Sequence, residues 1–340
     1  MLDHGEGGGP DVFAGADPPD HTIHRKLFFP ELMQKKMDSL EGDVAALSDE
    51  LLDEMLESEH SDAAAGIANP LPMRVITGLV IGFRNADAAQ TQSWVFAGSR
   101  MMGGRLRLDE MAAVGEELTG MPSWIAAQLD EAIGSPVHAD VLSAAAAGVR
   151  DGTLTHDEAV FTLMVLLGAG GETTTSLVGN AIHVLAERPD LQDHLRTETD
   201  RVPAFVEEVL RFESPFRFHP RMAVRATVLG GVEIPERAMV ALLWASANRD
   251  ESAFDRPHEI VLDRETARPH LGFGRGIHHC VGAPLARLES RVVLTKLLER
   301  TESFALDPDH PPTWVDSLWV RRHERLPLVV VPAGVRRSRA

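Results

Sequence analysis

Leu271-Gly-Phe-Gly-Arg-Gly-Ile-His-His-Cys280-Val-Gly282 holds the single cysteine of the chain, on a glycine-rich loop just ahead of a helix expected from about Ala283 to Arg300. A thiolate offered to a metal needs backbone N–H groups directed at its sulfur, and a tight loop through Gly274, Gly276 and Gly282 can supply them. The start of the following helix adds positive potential, which is expected to lower the thiol pKa towards the charged form. Taken alone, the loop also fits a buried inert cysteine, a redox-sensing thiol, or a phosphate loop with a chance cysteine behind it. A dinucleotide loop lacks its context, since no strand, helix, strand unit with a distal acid surrounds these glycines. Zinc on His278, His279 and Cys280 fails on geometry, because adjacent residues cannot all reach one tetrahedral ion.

The rest of the composition narrows the setting. With 340 residues, 44% of them hydrophobic, the chain can bury a large core. A formal charge of −18 argues against a general affinity for nucleic acid or an anionic membrane surface. One cysteine permits no internal disulfide and suits a reducing cytoplasm. The most apolar stretch, Ala159 to Gly171, falls short of the roughly 20 residues of a membrane span.

Outward from the cysteine loop, the pattern is mainly helical. Residues 1–16 are rich in Gly, Asp and Pro and read as a loop with no core of its own, and residues 17–340 read as one domain. From Asp17 to about Ser58 the spacing predicts helices with a break at Pro30, and Ser123 to Val149 reads as an Ala-rich helical segment. Thr155 with Glu158 three residues later is a capping box. The helix it opens runs to Arg188, before Pro189, and at 1.5 Å per residue would span about 50 Å. A shorter helix lies between Pro203 and Pro215. Met222 to Val232 and Ala238 to Leu243 predict a small sheet.

Phe273-Gly274-x-Gly276-x-His278-x-Cys280-x-Gly282 is similar to the haem-binding signature of the cytochrome P450 family, with all six fixed positions present. At roughly one in 20 per position, six matches arise by chance in about one such chain in 10^5. The resemblance implies a mainly α fold with a small β region and a long central helix over haem b. It implies Cys280 as axial iron ligand, His278 bonded to a haem propionate, and Phe273 packed near the sulfur.

Three further constellations carry the same resemblance. Glu208-Val-Leu-Arg211 matches the family's Glu-x-x-Arg motif, and His270, ten residues before the cysteine, is expected to complete its structural network. Ala169-Gly170-Gly171-Glu172-Thr173-Thr174 interrupts an apolar helix with small and polar residues. Its plain reading is a glycine packing notch; the resemblance implies a local bulge where Thr173 holds dioxygen and Glu172 relays protons. Asp17-Pro18-Pro19-Asp20-His21-Thr22-Ile23-His24-Arg25 matches a segment beside the haem, with His21, Arg25 and Arg221 expected to bind its propionates.

The resemblance runs from about Asp17 to the C-terminus, so the N-terminal part of the family fold is expected to be absent. Where the family has Phe-Asp after Pro257, Ile260-Val261 stands here, and packing beneath the haem is expected to differ. The implied activity is insertion of one oxygen atom from O2 into a small apolar organic substrate, with electrons from a ferredoxin and its reductase. A haem-binding remnant of the same fold and a non-haem redox sensor are the rival readings. Pocket candidates are Leu163, Leu167, Phe216, Phe218 and Met222. Arg264, Arg268, Arg275 and Arg287 are expected to form a basic patch for the ferredoxin.

Overall fold

The computed structural model describes residues 10–58, 60–264 and 270–334. The helices are α1 (Asp20–Leu32), α2 (Gln34–Asp38), α3 (Glu41–Glu57), α4 (Pro70–Arg74), α5 (Ala88–Met102), α6 (Leu108–Leu118), α7 (Gly120–Ile133), α8 (Val141–Asp151), α9 (His156–Glu187), α10 (Pro189–Thr197), α11 (Val202–Phe212), α12 (Trp244–Ala247) and α13 (Ala283–Arg300). Two π-helical stretches, Ala64–Ala68 and Val75–Ile81, flank α4, which carries Pro70 and Pro72.

The long helix forms where its caps predict. Thr155 Oγ1 accepts from Glu158 N at 3.2 Å, and Glu158 Oε2 accepts from Thr155 N at 2.7 Å. Pro189 sits in the first turn of α10, so α9 stops at Glu187. Its 32 residues extend about 48 Å at 1.5 Å each. Helices α4, α5, α7, α8, α11 and α13 all pack on it, so the apolar core is arranged around α9. Ala64–Ile81 and α9 are each long and apolar enough to cross a membrane by length and composition, and both are mostly buried inside this fold.

Some expected boundaries move. Pro30 lies inside α1, which carries on to Leu32; the chain breaks at Met33, whose backbone is extended. The segment Ser123 to Val149 is two helices, because Gly134-Ser-Pro136 interrupts it and Asp140 opens the second by accepting from Ser143 N at 2.7 Å. Within the expected loop 1–16, Val12, Phe13 and Ala16 are buried in the core. Phe13 N donates to His24 Nδ1 at 3.2 Å and its ring meets Phe28 edge-on. That part of the loop is a clasp on α1.

The strands are β1 (Ser61–Asp62), β2 (His219–Met222), β3 (Thr227–Leu229), β4 (Val232–Ile234), β5 (Met239–Leu242), β6 (Thr301–Leu306), β7 (Thr313–Trp314), β8 (His323–Arg325) and β9 (Pro327–Pro332). They form antiparallel pairs β2–β5, β3–β4 and β7–β8, and a three-stranded sheet in the order β1-β9-β6. In β2–β5, His219 faces Leu242 and Met222 faces Met239. Arg221 pairs with Val240 in this register, and its charge acts on His278 of the cysteine loop.

Candidate active site

The cysteine loop is closed on itself. Cys280 N donates to Phe273 O at 2.9 Å, and Gly274 N to Leu271 O at 2.9 Å. Gly274 and Gly276 take φ of 66° and 75°, values that side-chain-bearing residues adopt only with strain. The N–H groups of Gly282 and Ala283 reach the sulfur, which is the arrangement a thiolate ligand needs. Contrary to the expected depression, burial pushes the Cys280 thiol pKa up and outweighs those N–H groups, Arg25 and Arg287.

Beside the loop stands a cluster of imidazoles and guanidinium groups. The rings of His21 and His278 meet edge-on with centroids 4.6 Å apart. His21 is buried, and its Nδ1 has no partner among the described residues. Arg25 Nη1 donates to Ile277 O at 3.1 Å and His279 O at 3.0 Å, strapping α1 to the loop. Among the described residues, the Arg221 side chain donates only to the adjacent Pro220 O, at 2.8 Å. Burial, then the charges of His21 and Arg221, lower the His278 pKa, so these groups share one field. An anion placed there would relieve it.

Glu208 and Arg211 are joined in two parallel bonds of 2.9 and 3.0 Å, both side chains buried. Arg211 also donates to Asn248 O at 3.1 Å and to Pro257 O and Glu259 O, each at 2.7 Å. The third member is Arg264, whose Nε donates to Glu208 Oε1 at 2.9 Å; Val261 N supplies a further bond of 2.9 Å. Position 261 therefore serves the network through its backbone, which its side chain does not affect. His270, expected in this network, instead approaches Glu207 at 3.0 Å. Arg287 holds that same carboxylate at 2.6 and 2.9 Å and stacks 4.6 Å over the Phe273 ring. Arg264 and Arg287 are thus committed to acids and do not form a free basic patch; Arg275 is exposed, and Arg268 lies outside the described residues. Sequence reasoning placed Arg264 in a surface patch instead of this network and missed Glu207. A carboxylate offers about four acceptor positions, so a buried Glu208 needed more donors than Arg211 provides.

On α9, Gly170 and Gly171 are a packing notch. A Cβ on Gly170 would come within 2.6 Å of Ile76 Cδ1, and one on Gly171 within 2.5 Å of Met73 Sδ. The helix stays α-helical through this region, without the expected bulge, although Thr173 Oγ1 does donate back to Ala169 O at 2.7 Å. Val165, Ala169 and Thr173, at four-residue spacing, lie on one flank of α9, with Ala169 exposed and Val165 and Thr173 half-buried. Glu172 points elsewhere: it is buried, and its Oε1 accepts from Arg322 Nε at 3.0 Å. Leu163 and Leu167 are fully buried in the core and are not pocket residues. Phe216, Phe218 and Met222 are partly exposed, with Phe216 stacked on Trp319 at 4.3 Å.

A family model described as cytochrome P450 matches residues 126–321. Cytochrome P450 144 of Mycobacterium tuberculosis is 39% identical over 95% of this chain and 74% of its own length. The chain belongs to the cytochrome P450 family. Among solved structures, a mutant of P450 EryK in complex with erythromycin B superposes with a TM-score of 0.87 at 30% identity, covering 98% of this chain and 85% of that one. Cytochrome P450 CYP109Q5 from Chondromyces apiculatus gives 0.84 at 33% identity, over 95% and 80%. This P450 is accordingly an oxidoreductase of the monooxygenase class, with the P450 fold.

The residues of this P450 fit the family's haem. One thiol has backbone N–H groups turned to its sulfur. Among the described residues, no atom beyond the chain neighbours lies within 4 Å of where a Cβ would stand on Gly274 or Gly276, which leaves room for a flat group against the loop. Leu243 and Ile277 show 55% and 49% of their surface, apolar area of the kind a porphyrin covers. His21, Arg25, Arg221 and His278 offer the donors that anionic substituents need.

Proposed function

We propose that this P450 inserts one oxygen atom from O2 into an apolar organic substrate, with haem b held by Cys280. Haem with a thiolate ligand supplies the oxygen activation, because the sulfur pushes electron density that favours O–O cleavage. The observation that carries the reading is the sulfur of Cys280 under the N–H groups of Gly282 and Ala283, in a loop that carries the family signature. Phe273 shields the sulfur side, the imidazole and guanidinium cluster orients the cofactor by its propionates, and Gly274, Gly276 and Gly282 let the backbone approach closely. The Val165–Ala169–Thr173 flank of α9, with Ala169 and Gly170 keeping it slender, borders the reaction space. There the Thr173 hydroxyl steadies dioxygen, and Glu172 is the acid from which protons come.

The partly exposed rings of Phe216 and Phe218 support an apolar substrate. Electrons come from a ferredoxin and its reductase, since one cysteine cannot supply the roughly four thiolates of an iron–sulfur cluster. The bacterial relatives and the single thiol support a cytoplasmic setting. The test is the absorption spectrum of the reduced, carbon monoxide-bound protein. The thiolate-type band is expected in the native chain and lost in Cys280→Ser; its survival in the variant would overturn the assignment. A haem-loaded chain that turns over none of a broad apolar panel, given a competent ferredoxin system, would point to a haem-binding remnant.

A further inference from the structure

His323 opens β8, and its Nε2 lies 2.8 Å from Nδ1 of His183 on α9. Its ring centre is 3.6 Å from that of Trp314, the cross-strand partner on β7, and 4.8 Å from that of His183. Gly179, one turn back along α9, leaves the room: a Cβ there would come within 3.4 Å of His323 Nδ1. Among the described residues, the side chains of α9 that hydrogen-bond to residues 313–325 are Glu172, to Arg322; Asn180, to Arg321 O at 3.2 Å; and His183. Of these bonds only the last joins two bases, and it needs a lone pair on one of the facing nitrogens. His323 is 2% exposed, and its Nδ1 has no partner among the described residues. A leucine would fill that space without an orphaned nitrogen, so packing does not account for the imidazole.

We propose that His183 and His323 form a pH-sensitive clasp between α9 and the β7–β8 hairpin, closed while the rings are neutral and released when both take a proton from solvent. The facing nitrogens are then two donors, the bond is lost, and the hairpin lifts from α9. Its far end lifts with it. That end is held by Leu318 N, which donates to Gly103 O at 2.9 Å beyond α5, and by the Trp319 ring stacked on Phe216 at 4.3 Å. Under the monooxygenase reading Phe216 borders the substrate, so acidification loosens one wall of the reaction space; only that consequence rests on the reading.

Burial lowers the His183 pKa, against the pull of Glu187 and Glu213 and with the help of Arg321. Burial, then the charges of His183, Arg321 and Arg322, brings that of His323 down to about 2. The released rings return to the ordinary 6.5, so the open state binds more protons, and closure is lost as the pH falls below 6.5. One proton taken up on opening shifts the open-to-closed ratio about tenfold per pH unit, and two shift it about 100-fold. Around the pair, Glu187 on α9 approaches His183 Nε2 at 3.6 Å and eases the first proton on. Glu213, after α11, is bonded to Arg321 and Arg249. Arg321 lies over the Trp314 ring at 3.7 Å, and Arg322 is paired with Glu172. On β8, Glu324 accepts from Thr313 at 3.4 Å, and Arg325 meets Asp62 of β1 at 3.5 Å. The helical stretch Ala64–Ala68 brings no titratable side chain.

The experiment measures amide hydrogen-exchange protection, which reports local opening, on the haem-loaded chain between about pH 5 and 8, corrected for the intrinsic pH dependence of exchange. Protection over residues 313–326 should fall by about 10- to 100-fold per pH unit below 6.5, while α7 and α8 keep theirs. His323→Leu should remove most of that slope, leaving below about threefold per pH unit, and His183→Gln should leave at most about tenfold. His183→Gln carries the test if the Leu variant fails to fold. Glu172→Gln should keep the native slope, which excludes that carboxyl as its source. Native protection that is flat across pH overturns the proposal, as does a fall shared equally by α7 and α8, which is global acid unfolding. A slope undiminished in both histidine variants overturns it too. Loss confined to the strands, with the Leu318 amide still protected, refutes the lifting of the far end while the clasp stands. No turnover is read, so failure of the clasp and failure of the monooxygenase reading stay distinct.

Discussion

Arg264→Ala should cost this P450 about 3 kcal/mol of stability, at the low end of the 3–5 kcal/mol range for breaking a buried pair, since Glu208 keeps Arg211. The side chain is 8% exposed. The substitution removes the 2.9 Å bond to Glu208 and those to the carbonyl oxygens of Asp255, Arg256 and Glu259. At about 2.1 cal/mol/K per residue, unfolding a chain of this size carries roughly 0.7 kcal/mol/K, so the melting temperature should fall by about 4 °C. Far-UV circular dichroism at matched haem loading measures it. A double-mutant cycle with Glu208→Gln should give a coupling of about 1–3 kcal/mol for Arg264, against below about 0.5 kcal/mol for His270→Ala. A larger coupling for His270 than for Arg264 would refute this assignment of the network.

Thr173→Ala should keep haem content and the carbon monoxide spectrum but lose coupling, with hydrogen peroxide released at the expense of product; nicotinamide oxidation, peroxide and product measured together show it, and full coupling would exclude the hydroxyl's role. Burial pushes the Glu207 carboxyl up, but Arg287 and His270 hold it down at about 2. A folded pKa below the ordinary 4.5 gives stability that is present above pH 4.5 and lost as pH falls towards 2. The full difference is worth at most ~3.4 kcal/mol, and solvent screening of a side chain 38% exposed brings it to about 1 kcal/mol. Glu207→Gln should flatten the acid side of the stability profile by that amount, as thermal melts between pH 3 and 6 would read. Glu289 is fully buried, neither carboxyl oxygen has a partner among the described residues, and burial raises its pKa well above the usual range. The fold therefore favours its protonated form, and each pH unit above about 4.5 costs roughly 1.4 kcal/mol until its folded pKa is reached. Glu289→Gln should gain on the native chain as pH rises from 5 to 7, and parallel melting curves would count against a neutral Glu289.

What the sequence shows depends on how locally it is written. The cysteine loop, the Thr155–Glu158 cap and the Glu208–Arg211 pair each lie within a dozen consecutive residues, and each forms as its spacing implies. Arg264 and Arg322 reach their carboxylates across 56 and 150 positions, and no periodicity links residues so far apart. Helix α9 is apolar nearly all round, so apolarity could not distinguish the flank of Val165 and Ala169 from the buried face of Leu163 and Leu167. The expected lowering of the Cys280 pKa failed because helix-end potential and burial oppose each other, and burial is set by packing that the loop does not encode.

Sheet β1-β9-β6 also sets a schedule for biosynthesis. Asp62 accepts from Leu326 N at 2.9 Å and Ala63 N donates to Leu326 O at 2.9 Å. In the same region, Asp49 on α3 meets Lys296 at 2.7 Å and Glu41 meets Arg291 at 2.7 Å. At about 5–20 residues per second on the ribosome, the partners of this early hairpin of contacts emerge roughly 13–50 s after it. Over that interval α3 and β1 leave the ribosome with their ion-pairing and ladder positions unfilled. The sequence from α3 to β1 thus waits, as Arg25 on α1 does, for partners made near the end of synthesis, and slowing translation after β1 should lengthen its exposure to proteases in proportion.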